Sequence, residues 1–147
     1  MNIKELMNEQ VIALDLQART REAAMDELAA LLVKDGAVVD LPAYMQAVRN
    51  REALGTTAVG FGVAIPHGKS AGVARAAVAF GRSAGGVAWP SLDDEPVQMV
   101  FLIAAPEGAH DLHLKALAQL ARMLMHDEFR QKLLNAPTPA EVLEALM

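Results

Sequence analysis

Residues 97–105, V-Q-M-V-F-L-I-A-A, form an almost unbroken apolar run that Pro106 closes. A strand with one wet face alternates apolar and polar residues, and this run does not alternate. It therefore calls for a sheet covered on both sides, which means helices in two layers. The rest of the chain supplies them. Thr20 caps a helix with Glu22 in its first turn and Ala24, Met25, Leu28, Leu31 and Leu32 at helical spacing, and Gly36 stops it. Asp40 opens a second helix, with Pro42 in its first turn, a stripe of Tyr44, Met45 and Val48, and an end near Glu52. A third is expected over residues 111–125, with Leu117, Leu120, Ala121 and Leu124 on one face. Asp127 caps a short fourth, and the box Thr138-Pro139-Ala140-Glu141 opens a last one that runs to Met147. Strands are expected over residues 11–16 and 75–81. Ala84-Gly85-Gly86 reads as a turn into a short return strand at 87–89, followed by a loop to Pro96. This order predicts an α/β fold, a three-layer sandwich in which a mixed β-sheet is flanked by helices on both faces. One domain over residues 1–147 accounts for it.

Composition narrows the functions. A net charge of −5 argues against a nucleic-acid partner, which needs a basic face. The chain has no cysteine, so disulfides, thiolate metal sites and a cysteine nucleophile are excluded within it. The N-terminal M-N-I-K-E-L-M-N-E-Q lacks the apolar centre of a signal peptide, and no run approaches the roughly 18 apolar residues of a membrane helix. A cytoplasmic domain without direct membrane insertion is the expectation, either free-standing or cut from a longer chain.

The chemistry concentrates in residues 55–70, G-T-T-A-V-G-F-G-V-A-I-P-H-G-K-S. Val59, Phe61, Val63 and Ile65 alternate with Gly60, Gly62 and Ala64, which reads as one strand with a bulky face and a bare face. Pro66 ends its ladder, because proline has no N–H to donate. His67 then stands at the strand's end. Gly68 permits positive φ and a close approach of a ligand to the backbone. By itself such a histidine is more often a turn residue than a reactive one.

The motifs in combination are more specific. Gly62-Val63-Ala64-Ile65-Pro66-His67-Gly68 follows Asn50-Arg51-Glu52-Ala53-Leu54-Gly55-Thr56-Thr57. Downstream stand Ala104-Ala105-Pro106 and His113-Leu114-Lys115-Ala116-Leu117. Together they resemble the fructose/mannitol-type (type 2) EIIA domain of the bacterial phosphoenolpyruvate:sugar phosphotransferase system, most closely its fructose-specific subtype. The resemblance covers essentially the whole chain. It implies a phosphoryl carrier in which His67 accepts the group from phospho-HPr or an HPr-like domain. The group then passes to a cysteine of an EIIB domain, which feeds an EIIC membrane permease. It also implies that His113 lies beside His67 and assists, that Arg51 stabilises the phosphoryl group, and that Nε2 of His67 is the acceptor. Such a transfer needs in-line positioning and stabilisation of spread negative charge. Backbone N–H groups after Gly68, the hydroxyls of Thr56 or Thr57, and a guanidinium are suitable suppliers. Lys69 contributes only to the local field. No cofactor and no metal are called for.

Two rivals stand beside this reading. Nitrogen-type EIIA relatives keep the fold and the histidine but use phosphorylation to choose protein partners. A metal-dependent hydrolase would use His67, His110 and His113, although no H-E-x-x-H pattern is present. Serine-triad chemistry has no G-x-S-x-G elbow to support it. His126 reads as a cation at a helix C-terminus. The identity of the sugar belongs to the permease, and the oligomeric state is not legible.

Overall fold

The structure is a computed structural model that describes residues 3–108 and 112–146. Its central strand is the apolar run. β1 (Ile12–Ala13), β2 (Ala58–Gly60), β3 (Val63–Ala64), β4 (His67–Ser70), β5 (Ala77–Val87) and β6 (Val97–Pro106) make one mixed sheet. β6 runs antiparallel to β5 on one side. On the other side it is parallel first to β3 and then, further along, to β4. β1 extends the sheet beyond β5, and β2 extends it beyond β3. Met99 and every residue from Val100 to Ala105 are buried, so β6 has the two covered faces that its sequence requires.

Among the described residues there are five α-helices: α1 (Arg21–Lys34), α2 (Leu41–Ala53), α3 (Leu112–Leu124), α4 (Asp127–Asn135) and α5 (Pro139–Ala145). α1 packs on β5 and α2 on β4, while α3 packs on β6 and against α4. The three-layer α/β sandwich is the one expected. Three of its four expected N-caps form as the sequence reads. Thr20 Oγ1 accepts from the Ala23 amide at 3.3 Å and Asp40 Oδ1 from the Ala43 amide at 3.2 Å. Thr138 Oγ1 accepts from the Glu141 amide at 3.2 Å. Gly36 closes α1 with φ of 85°, in the left-handed region that glycine tolerates best.

Three expectations need correction. Residues 59–65 are a hairpin and not one strand. Gly60 pairs with Val63, leaving Phe61 and Gly62 as a two-residue turn with φ of 59° and 74°. Positive φ at both central residues is the type I′ geometry whose twist suits a tight hairpin. The alternation therefore hid a reversal. Next, Ala84-Gly85-Gly86 is not a turn. β5 runs through it, with Arg82 opposite Met99 and Val87 opposite Val97, so the extra residues bulge out of the ladder. Finally, Asp127 is the first residue of α4 and His126 holds the N-cap position, without a side-chain capping bond. The Asp127 carboxylate takes the Arg130 guanidinium at 3.3 Å instead. His126 thus joins α3 to α4, its amide bonded to the Met123 carbonyl at 3.2 Å.

Pro66 also plays a different part. It leaves a gap in the pairing along β6 without ending it, because His67 resumes the ladder opposite Ile103. The Pro66 carbonyl still accepts from the Ile103 amide at 3.0 Å. Gly68 follows in the ladder, and its bare side lies under α2. A Cβ there would sit 2.9 Å from Val48 Cγ2 and 3.1 Å from the Val48 amide nitrogen. The missing side chain lets α2 close onto β4, and Tyr44 of the same helix donates its hydroxyl to the Ile103 carbonyl at 2.8 Å. Gly68→Ala should therefore destabilise the fold by about 1–3 kcal/mol through overpacking. Urea unfolding monitored by circular dichroism checks this, and an unchanged midpoint would contradict the packing account.

Candidate functional site

His67 opens β4 and is half-buried. Its Nδ1 lies 3.0 Å from the carbonyl oxygen of Ile65. A carbonyl only accepts, so Nδ1 carries the proton and donates it. In the neutral ring, Nε2 then holds the nucleophilic lone pair. The backbone explains why this carbonyl is in place. Groups of one residue in extended chain point to the same edge. The Ile65 amide donates outward to the Thr57 carbonyl at 3.0 Å, whereas the Pro66 carbonyl faces β6. The Ile65 carbonyl therefore points away from β6, and the imidazole folds back onto it.

His67 lines a cleft of about 390 Å³ together with Arg51, Thr56 and Thr57. The opposite wall is α3, through Leu114, Leu117, Ala118 and Ala121. Four of the six residues singled out from the sequence thus meet in one place. Arg51 arrives from the last turn of α2, with Nη1 donating to the Gly55 carbonyl at 2.9 Å. A guanidinium has five N–H donors, so this bond leaves most of the fork for an anion.

The two threonines reach the cleft with their hydroxyl protons already engaged. Each has one hydroxyl proton. Thr57 gives its own to Glu52 Oε1 at 2.5 Å, and Thr56 gives its own to the Pro90 carbonyl. Thr56 Oγ1 in turn accepts from the Ala58 amide at 3.1 Å. Gly68 does not line the cleft: it is a strand residue turned toward Val48, and its φ is not positive. In this structure, then, both threonine hydroxyls already have acceptors and Gly68 stands outside the cleft lining. His113 is the second residue of α3, the helix that walls the cleft. Its side chain, and all of His110, lie outside the described residues. Among the described residues no three His, Cys, Asp or Glu side chains gather as metal ligands.

Sequence reasoning missed Glu52. Its carboxylate is buried in the last turn of α2. Oε2 accepts from the Thr57 amide at 3.1 Å, the Trp89 indole at 3.2 Å and Arg21 at 3.4 Å. A signal was there to read: an anion at a helix C-terminus is unfavourable to the dipole. Asp93 was missed as well. Its carboxylate accepts from the Ser91 hydroxyl at 2.7 Å and the Phe61 amide at 3.0 Å, which braces the hairpin tip. The Ser91 hydroxyl, followed by the amides of Glu95 and Phe61, holds its pKa below the usual carboxylate value.

Over residues 5–147 the chain matches the family described as "Phosphoenolpyruvate-dependent sugar phosphotransferase system, EIIA 2". The chain belongs to that family. It is 42% identical over 146 residues to the "PTS system fructose-specific EIIABC component" of Bacillus subtilis, covering 99% of this chain and 23% of that relative. The chain thus spans under a quarter of that protein's length. Among solved structures it is similar to the nitrogen regulatory protein IIA-Ntr of Neisseria meningitidis, with a TM-score of 0.88, 32% identity and 99% coverage of both chains. It is also similar to enzyme IIAMTL of Escherichia coli, solved in complex with phosphorylated enzyme IIBMTL. There the TM-score is 0.81 at 29% identity, over 95% of this chain and 96% of that one. As an EIIA-type chain it is a component of a phosphotransferase system, of the phosphoryl-carrier class.

The EIIA site geometry makes a direct claim about the ring. Long-range ¹H–¹⁵N correlation spectra at alkaline pH should show His67 as the Nδ1–H tautomer, with Nε2 unprotonated. A ring found predominantly as the Nε2–H tautomer would contradict the bond to Ile65.

Proposed function

We propose that residues 1–147 act as one phosphoryl-carrier domain and that His67 is the phosphorylated residue. Nε2 attacks the phosphorus of the phosphohistidine on HPr or an HPr-like domain. The new Nε2–P bond forms as the donor's N–P bond breaks, and the donor nitrogen keeps that electron pair. In the second transfer a thiolate of an EIIB domain attacks the same phosphorus, the Nε2–P bond breaks, and the pair returns to His67. The acceptor thiol belongs to a part other than these residues, which contain no cysteine. The EIIB domain then serves an EIIC permease in sugar uptake, with fructose the expected sugar. The site works on the cytoplasmic side, and no helix among the described residues is long and apolar enough to cross a membrane.

The observation that carries this reading is the 3.0 Å contact between His67 Nδ1 and the Ile65 carbonyl, from which the tautomer follows. The Ile65 carbonyl orients the ring and leaves Nε2 as the nucleophile beside Arg51 in the cleft. Arg51 is the cation suited to the equatorial oxygens of the moving group. His113, at the start of α3, assists the transfer, and the N-terminal dipole of that helix favours the same negative charge. Exposed Val59, Phe61, Leu114 and Met125 lie around the cleft and suit a protein partner. The likeness to the nitrogen regulatory protein supports a second reading, in which phosphorylation of His67 selects protein partners and no EIIB acceptor exists.

Incubation with phosphoenolpyruvate, enzyme I and HPr should add one acid-labile phosphoryl group, and His67→Ala should abolish it while the protein stays folded. Undiminished labelling of His67→Ala would refute the assignment. Adding a fructose-type EIIB domain separates the two readings: loss of the label to the EIIB cysteine supports transport, and retention supports regulation.

His113→Ala should still be labelled, about ten- to a hundredfold more slowly, as expected for one lost charge-assisted contact of roughly 1.5–3 kcal/mol in the transition state. Quenched-flow transfer from phospho-HPr measures this. Wild-type rates in both directions would remove His113 from the site.

A further inference from the structure

We propose that Glu52 is a positioning residue, one that acts on the phosphoryl site through Arg51 without touching the transferred group. The two side chains are neighbours in the last turn of α2, and they grip the following turn from opposite sides. Outside, Arg51 Nη1 is docked on the Gly55 carbonyl at 2.9 Å. Inside, the buried Glu52 carboxylate takes both the amide and the hydroxyl of Thr57, at 3.1 Å and 2.5 Å. The Glu52 backbone carbonyl also takes the Gly55 amide at 3.2 Å. Residues 54–57 are thus closed into one tight turn, and that turn is the platform on which the Arg51 guanidinium rests in the cleft.

Two further donors complete the clamp. The Trp89 indole and Arg21 reach Glu52 Oε2 at 3.2 and 3.4 Å. The carboxylate therefore accepts four hydrogen bonds, and every donor comes from outside α2. This is more than a helix C-terminus requires for its own closure, since the Leu54 amide already bonds to the carbonyls of Arg51 and Glu52. Removing the inner grip frees residues 54–57, and the guanidinium loses its fixed support. A displacement of about 1 Å at a transfer site can slow the reaction on the order of a hundredfold. Glutamine at position 52 keeps the size but loses the charge: its NH2 either faces the three donors at Oε2 or turns the Thr57 hydroxyl into an acceptor, and in both cases the charge-assisted grip is lost. Valine at position 57 removes the hydroxyl and leaves the carboxylate in place.

The inference rests on the carrier reading for its kinetic readout alone, and a second readout does not need phosphate. In the first, single-turnover transfer from phospho-HPr is followed for wild type, Glu52→Gln, Thr57→Val, Thr57→Ser and Arg51→Ala. Glu52→Gln and Thr57→Val should lower the saturating rate about ten- to a hundredfold with little change in the half-saturating HPr concentration. Thr57→Ser should recover most of what Thr57→Val loses. Adding Glu52→Gln to Arg51→Ala should cost little more than Arg51→Ala alone, because both act through one guanidinium. In the second, the heteronuclear NOE of the Arg51 Nε–H is compared in the unphosphorylated proteins. It should be high in wild type and Thr57→Ser and low in Glu52→Gln and Thr57→Val. The chain has a single tryptophan, so its one indole N–H resonance reports whether the clamp has opened in each folded variant. Should Glu52→Gln fail to fold, Thr57→Val decides. Unchanged Arg51 order in the folded variants, or additive losses in the double variant, would overturn the proposal. Failure of wild type to accept phosphate would refute the carrier reading, while the Arg51 order would still decide the role of Glu52.

Discussion

The His67 ring donates from Nδ1 to a carbonyl two residues earlier in its own chain, and the orientation and tautomer of the ring follow from that bond. Ile65 presents its carbonyl because its backbone groups point away from β6, and they do so because the register of β3 and β4 on β6 is fixed on both sides of Pro66. That register is carried by the ladders that β3, β4 and β5 make along the length of β6. The pairing along β6, the direction of one carbonyl and the tautomer of one imidazole are therefore linked. The Tyr44 hydroxyl on the Ile103 carbonyl and the close contact of Val48 with Gly68 tie α2 to the strand that carries the histidine.

The cleft around that histidine contributes little covalent machinery, and phosphoryl transfer requires little. What it contributes is order. The hairpin tip is held by Asp93 from one side and by Arg130 from the other, with the guanidinium carbon 4.4 Å from the centre of the Phe61 ring. The turn after α2 is held by Arg51 and Glu52. Both threonine hydroxyls are engaged within the fold, and Arg51 is the cation that lines the cleft beside His67.

Much of this was legible in the sequence, and the failures have definite causes. The caps at Thr20, Asp40 and Thr138 were readable because capping is local chemistry, settled within one turn. The strand at 97–105 was readable because its apolar run is incompatible with a wet face. The hairpin at 58–64 was not, because small residues alternating with bulky ones look the same whether the chain continues or turns at Phe61 and Gly62. Gly85 and Gly86 misled in the other direction: a glycine pair serves a bulge as well as a turn, and only the partner strand decides. Gly68 was read as room for a ligand, and the room is filled by α2. For the site, the family resemblance implied that Arg51 serves His67, and the two line one cleft. It gave no account of Glu52, whose meaning depends on donors from Arg21 and Trp89, far away in the chain.

The central claim is that the Ile65 carbonyl, by holding the proton on Nδ1, makes Nε2 the phosphoryl acceptor. Phosphorylating uniformly ¹⁵N-labelled protein with the phosphoenolpyruvate relay and recording ³¹P–¹⁵N through-bond couplings tests it directly. The account predicts a one-bond coupling to Nε2 of His67, with Nδ1 still protonated. A coupling to Nδ1 of His67 instead would contradict it.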